Sequence, residues 1–337
     1  MALNKQEKQL AVKLYTEGKK WREIYNAFPH KDPEEVRGYI RTTKVYRERH
    51  SHQSVETEIP QQISAGEFLD ELVKFQEKVK QFDSHFDEVN LQPFNKPYIT
   101  IINWGDWHLG AKECDYKKFR EDFEIIKNTP NLYVVMNGDM IDNSIENTHK
   151  GTRFEQIITP KIAKELVKQF TEDLKGKWLA IVSGDHDSWS FITDDFQPAE
   201  YFAKHGKAPY FHWGGILNLK VLNIPYKVVV RHRYYGISRK NTANPHENLW
   251  RDTDADIVML AHTHVNMASQ EIVSERDRLK VFLNSGSYKI WDNYHHKHGF
   301  KNSVAKFPAV VLSGYEKKAW VFPDFRDAIE FTEGVLG

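Results

Sequence analysis

The stretch "YITIINWGDWHLG", residues 98–110, begins as an apolar run of strand character and ends with an aspartate and a histidine two positions apart. An unpaired carboxylate or imidazole is costly in a core. Asp106 and His108 therefore read as leaving the interior where a buried strand stops. In open α/β sheets that carboxyl end is where binding sites collect.

Outward from this stretch the same arrangement recurs. After "LYVVM" comes "NGDMIDN", with Asp139 and Asp142. After "WLAIV" comes "SGDHDSW", with Asp185, His186 and Asp187. "YKVVV" runs into Arg231, His232 and Arg233, and "DIVML" into "AHTH", with His262 and His264. Between the early strands lie helical patterns, "YKKFREDFEIIKN", "ITPKIAKELVKQFTEDL" and "DFQPAEYFAKHG". This β-α-β-α-β-α order predicts a layered α/β domain. Later strands come in pairs with little helix between, beginning with an expected hairpin of "ILNLKVL" and "YKVVVRH".

A lone Asp-x-His or His-x-His carries little meaning, but five strands in succession end in such residues. Oxygen and nitrogen donors without thiolate suit manganese, iron or zinc over cuprous or iron–sulfur centres. The five strand ends gather three to five carboxylates and five imidazoles, and seven ligands would be too many for one ion and about right for two sharing a carboxylate.

The ordered set "GDWHLG", "GDMID", "GDHD", "VVVRHR" and "AHTH", with "NSGSY" downstream, resembles the motifs of the calcineurin-like metallophosphoesterases over residues 97–325. The resemblance implies a two-sheet sandwich flanked by helices and two divalent metal ions, manganese foremost, with iron, zinc or nickel as alternatives. It implies that Asp106, His108 and His264 hold one ion, that Asp139 bridges, and that Asp185, His232 and His262 hold the other. His186 would be the general acid, and Asp142 would orient its imidazole.

Two positions depart from the family pattern: Ala261 replaces a glycine, and Asp185 stands where the family has asparagine. The second change adds a negative charge, which disfavours a dianionic monoester and leads to an expected preference for diesters. It also leaves open whether Asp185 ligates as the asparagine would. Arg233 beside His232 is a candidate phosphate clamp or a structural ion-pair partner. Trp104, Trp107 and Trp189 border the motifs and read as core packing before base stacking. "DNYHHKHGFK", residues 292–301, is a His- and Lys-rich loop that reads as merely exposed before it reads as reaching over a substrate phosphate.

The remaining chain suggests what the site is brought to. Residues 1–52 carry 12 Lys and Arg against 7 Asp and Glu, a net of +5 in a chain of 337 residues whose formal charge is zero. A basic end on an acidic body points to nucleic acid. The segment 1–50 reads as three short helices, and "GKKWREIYNAFPHKDPEEVRGYI" resembles the helix-turn-helix of bacterial and phage regulators. Arg37, Arg41 and Lys44 on its last helix are the expected DNA contacts.

Residues 51–96 read as a polar linker followed by an amphipathic helix. Ser64 and Glu67 form a capping box. Phe68, Leu72, Phe75, Val79, Phe82, Phe86 and Val89 then make a heptad seam, suited to a homodimeric coiled coil through the 64–89 helix or to docking on the body. Residues 97–337 form the expected catalytic domain.

Hydrophobic residues make up 40% of the chain and charged ones 28%, which allows a sizeable core. The single cysteine, Cys114, rules out an internal disulfide or a Cys-based zinc site. The start shows no apolar signal segment, and no run approaches a membrane span, so no membrane association and a cytosolic location, bacterial or phage-infected host, are expected. The overall expectation is a DNA-directed phosphodiesterase. The alternatives are a phosphatase or cyclic-nucleotide phosphodiesterase with a protein-binding N-terminus, or a non-catalytic DNA-binding regulator.

Overall fold

The computed structural model describes residues 2–51, 64–82, 87–145, 152–238, 241–273, 278–291, 297, 299 and 302–335. The linker at 52–63, Phe86 of the seam and most of the 292–301 loop lie outside them. The chain divides into two compact units, Met1–Gln76 and Glu77–Gly337.

The first unit starts with α1 (Lys5–Thr16), α2 (Trp21–Asn26) and α3 (Pro33–Thr42). Asn4 and Glu7 close a reciprocal cap on α1, and Asp32 caps α3 ahead of Pro33. The expected third helix is two. It breaks at Thr43, whose backbone is extended and whose hydroxyl caps α4 (Lys44–Arg49). A threonine gains more as a cap than inside a helix, because its oxygen meets an otherwise unpaired N–H. The basic residues are thereby split: Arg37 and Arg41 on α3, Lys44 on α4. Leu3, Ala11, Tyr15, Ile24, Phe28, Val36 and Ile40 form this unit's own core.

Ser64 and Glu67 exchange backbone hydrogen bonds at the start of α5 (Ala65–Phe82). Its seam residues Phe68, Leu72, Phe75 and Val79 are exposed. Among the described residues the helix runs to Phe82. Val89 lies instead in β1 (Glu88–Asn90), paired with a sheet strand, so the body begins before the expected boundary at 97. A three-residue edge strand is too short to show a period of two in sequence.

The second unit is a sandwich of two mixed six-stranded sheets. One holds β2 (Tyr98–Asn103), β3 (Leu132–Asn137), β4 (Trp178–Val182) and β5 (Tyr210–Phe211) in parallel, with β11 (Ala309–Ser313) and β12 (Ala319–Phe322) antiparallel at one side. The other has the order β1, β6 (Gly214–Val221), β7 (Ile224–Arg231), β8 (Ile257–Leu260), β10 (Arg278–Asn284), β9 (Met267–Val273). Alternation divides each strand between two cores. Ile99 and Ile101 of β2 point into the sandwich with Val135, Val228, Ile257 and Val281. Ile102 and the following Trp104 face the outer layer.

That layer comprises α6 (Tyr116–Asn128), α7 (Pro160–Asp173), α9 (Pro198–Gly206) and α11 (Phe325–Gly334), which contribute Phe119, Val167, Phe202 and Phe325. Between β4 and α9 a further helix, α8 (Asp185–Asp194), begins at the motif "GDHD" itself. On the second sheet α10 (Asn244–Thr253) packs Leu249 against Val258 and Phe282. Among the described residues no helix is long and apolar enough to cross a membrane.

Candidate metal centre

The parallel strands β2, β3 and β4 of one sheet, and β7, β8 and β10 of the other, end along one edge of the sandwich. Buried Asn103 ties the sheets there. Its amide donates to Leu260 O (2.8 Å) and Leu283 O (3.2 Å), and its oxygen accepts from Asn137 (3.1 Å).

Each strand then turns sharply. Of the eleven non-glycine residues with positive φ among those described, five are Asp106, His108, Asp139, His262 and His264. Backbone strain of about 1–3 kcal/mol each persists only where other contacts enforce it. The turns also require Gly138 (φ +79) and Gly184. A Cβ on Gly138 would meet the His232 ring and the Gly184 backbone, and one on Gly184 would overlap the Asp139 carboxylate.

These turns bring together the groups named in the sequence. Asp106, His108 and His264 offer donor atoms within 4.8 Å of one another, as do Asp139, His232 and His262. His108 Nε2 lies 3.0 Å from His264 Nε2 and 3.8 Å from Asp139 Oδ2. His264 Nε2 lies 3.7 Å from Asp106 Oδ1, and His232 Nε2 lies 3.2 Å from Asp139 Oδ2. Asp139 thus stands between the two groups. A cation with bonds of about 2.1 Å holds its donors between about 3.0 Å (adjacent) and about 4.2 Å (opposite) apart, and these separations lie within that span.

Buried polar atoms without a hydrogen-bond partner make a second test. Asp106 Oδ1 and His232 Nε2 are both among them. Each residue's remaining polar atom is satisfied: Asp106 Oδ2 accepts from His262 N (3.0 Å), and His232 Nδ1 donates to Asn137 O (2.8 Å). That bond fixes the histidine tautomer and leaves Nε2 bare, as a metal-ligating imidazole requires. The residues fit divalent cations.

The electrostatics agree. Burial pushes Asp106 well above the usual carboxylate range. Burial and the neighbouring His186 bring His108 down to about 4, and burial with His232 does the same to His262. Burial opposes charge on both Asp139 and His232, but their mutual attraction wins. Asp139 is held well below its ordinary value, and His232 is raised to about 10. Without a cation, the proton on His232 is the positive charge that Asp139 faces.

His186 projects from the first turn of α8. Its N–H donates to Asp139 Oδ1 (2.8 Å), its Nδ1 donates to the backbone carbonyl of Asp142 (2.6 Å), and Trp189 lies against its ring, centroids 3.9 Å apart. Asp142 meets the imidazole through its carbonyl; its carboxylate Oδ1 is 3.8 Å from Nδ1. That carboxylate instead takes Lys289 Nζ (2.8 Å) and the Ser144 hydroxyl (2.9 Å), and sits 3.5 Å from His108 Nδ1. Burial would raise Asp142, but His108 and Lys289 hold it far below the usual carboxylate range.

Asp185 stands slightly apart from both donor groups. Its Oδ2 is 3.2 Å from His262 Nδ1 and 3.1 Å from Arg233 Nη1. Arg233 therefore has an ion-pair partner, on a side chain 59% exposed. Asp187 faces away from His186. Its Oδ2 accepts from Asp139 N (2.8 Å) and Gly184 N (3.0 Å), pinning two ligand turns together. Trp104 and Trp107 are wholly buried in the outer core.

Sequence reasoning missed Lys289, buried at 4% exposure, and the serines before it. Ser285 Oγ accepts from Gly105 N (2.9 Å), and Ser287 Oγ donates to Asp106 O (2.9 Å). "NSGSYK" was visible as a motif, but nothing in its spacing shows which turn it braces.

Among solved structures, the chain is similar to Vacuolar Protein Sorting 29 from Cryptosporidium parvum, at 18% identity over 67% of this chain and 97% of that one, TM-score 0.39. It is similar to zinc-complexed Vps29 from Entamoeba histolytica, at 16% identity over 66% and 97%, TM-score 0.36. The calcineurin-like phosphoesterase YfkN from Bacillus subtilis gives 12% identity over 66% and 90%, TM-score 0.36. No curated protein matches. The model of the calcineurin-like phosphoesterase family matches residues 99–291, more than half of the chain and the span that supplies every donor described above. The chain belongs to the calcineurin-like phosphoesterase family, metallophosphoesterase-type hydrolases that typically hold two divalent metal ions.

Proposed function

We propose that this chain hydrolyses phosphodiesters of DNA at a two-metal centre, with manganese foremost and iron, zinc or nickel as alternatives. Asp106, His108 and His264 would hold one cation, His232, His262 and Asp185 the other, with Asp139 between them. Bound there, divalent cations supply charge stabilisation for the phosphoryl group and activation of water.

His186 carries the reading. Its Nδ1 is held on the Asp142 carbonyl at 2.6 Å and its ring is braced by Trp189, which leaves Nε2 to protonate the departing oxygen. A positioned general acid contributes about 10²–10⁴-fold. Donor atoms of His186, His108 and Asp139 also lie within 4.8 Å of one another, so retention of metal in His186→Ala is what separates an acid from a ligand.

The preference for diesters rests on Asp185, whose negative charge opposes a dianionic monoester. Arg233 partly offsets that charge from an exposed position. Direction to DNA rests on the basic helices of the first unit. Arg41 is exposed, and Lys44 has only an exposed pair with Glu48 at 3.5 Å, which costs little to break. Arg37 is more engaged, lying over the Trp21 ring at 5.4 Å and 3.5 Å from Glu34.

The test incubates the full chain and manganese with labelled single- and double-stranded DNA, beside bis(p-nitrophenyl) phosphate and p-nitrophenyl phosphate. The reading expects DNA cleavage and faster diester than monoester turnover. His186→Ala should keep metal and lose turnover, and Asp185→Asn should lower the diester-to-monoester ratio. Monoester turnover alone, or full activity in His186→Ala, contradicts it.

A further inference from the structure

Lys289 follows the "NSGSY" stretch and buries its ammonium group beside the donor residues. It follows β10 in "NSGSYK", where its backbone N–H donates to Ser287 Oγ (3.0 Å) and residue 289 bridges Cys114. At 4% exposure its Nζ cannot reach a substrate phosphate. It ends 2.8 Å from Asp142 Oδ1. Asp142 meets two of the histidines from behind, with its carbonyl on His186 Nδ1 and its carboxylate facing His108 Nδ1 at 3.5 Å.

We propose that Lys289 is a positioning residue, which clamps the Asp142 carboxylate so that this one aspartate sets both the metal-facing edge of His108 and the direction of His186. A carboxylate behind a ligating histidine selects its tautomer and orientation. Asp142 can do so only while its side chain points at His108, and the ammonium group together with Ser144 fixes that rotamer. The same rotamer fixes the backbone turn at 142 whose carbonyl carries His186. Because a buried cation paired with a buried anion is costly to leave half-paired, Lys289 and Asp142 act as a unit. The kinetic part rests on the hydrolase reading above; the metal-binding part does not.

The test compares the full-length wild type with Lys289→Met, Lys289→Arg, Asp142→Asn and the Lys289→Met/Asp142→Asn double variant. Manganese affinity is read by calorimetry, and turnover of bis(p-nitrophenyl) phosphate at saturating manganese. Lys289→Met is expected to lose about 10- to 100-fold in metal affinity, as for other groups behind metal ligands. It should also lose at least tenfold in kcat with KM within twofold, and Lys289→Arg should recover part of both. In the Asp142→Asn background, removing the lysine should change neither quantity by more than about twofold, since the pair no longer exists.

Wild-type metal affinity in Lys289→Met overturns the proposal. So does a full additive loss in the double variant, which would mean that Lys289 acts apart from Asp142. If Lys289→Met fails to fold, the double variant, which removes both members of the pair, decides between these outcomes. A wild type that binds manganese but turns over no diester refutes the functional reading alone, and the affinity comparison still decides the role of Lys289.

Discussion

Metal must displace a proton from His232. In the metal-free protein that imidazole, 3.2 Å from Asp139, is raised to about 10, so at neutral pH it is charged. A ligating imidazole is neutral, and metal binding therefore releases this proton. His108 and His262, lowered to about 4, are already neutral above pH 6 and add none. From His232 alone the apparent affinity should rise tenfold per pH unit, about 1.4 kcal/mol. Between pH 6 and 8 that is about 100-fold, or about 2.7 kcal/mol.

Burial also raises Asp106, against the lowering effect of the charge on His232. Calorimetry of manganese binding at pH 7, in two buffers of different ionisation heat, counts the protons. His232→Gln should release one fewer than wild type and show a pH slope shallower by one. Equal counts, or a wild-type affinity independent of pH, would refute the coupling. The same pair sets a stability trend in the metal-free protein. Because the folded value lies above the ordinary 6.5, its contribution is fully present below pH 6.5 and is lost as pH rises through about 10.

Other consequences lie outside the ligand set. Gly184→Ala should abolish binding at the bridging position while the helical circular dichroism persists, because its Cβ would displace Asp139; wild-type metal stoichiometry in the variant contradicts the packing. His246 is buried with Nε2 3.2 Å from Leu283 O, and burial lowers it to about 4. Its folded value lies below the unfolded one, so the stability it contributes is present above pH 6.5 and is lost as pH falls toward 4. Between pH 7 and 5 this amounts to about 2 kcal/mol. Urea unfolding of His246→Gln should be less acid-sensitive by that amount, and parallel curves would contradict the assignment. Arg41→Ala with Lys44→Ala should weaken duplex binding and flatten its dependence on salt by about one unit per lost phosphate contact; an unchanged slope removes α3 and α4 from the interface.

Much of this was legible because the decisive pattern is local. Each donor follows an apolar run, and five strand ends with the same decoration could be read without knowing how the strands pair. The partner of the Asp142 carboxylate was not legible, because it lies at residue 289 and the pairing of β10 with β8 brings that loop to the site. The part played by Asp187, a buried carboxylate that joins two turns, was not legible, because it depends on α8 starting at Asp185. The seam carried through to Val89 failed because spacing alone cannot tell the last turn of a helix from a short edge strand.

The central claim is that the donors on separate strand ends hold a pair of cations. Crystals grown with manganese and measured at the manganese absorption edge test it most directly. Two anomalous peaks are predicted, one within bonding distance of Asp106, His108 and His264, the other of His232 and His262, with Asp139 reaching both. No peak among these residues, or a single ion that leaves His232 Nε2 and Asp106 Oδ1 without a ligand bond, would contradict the account.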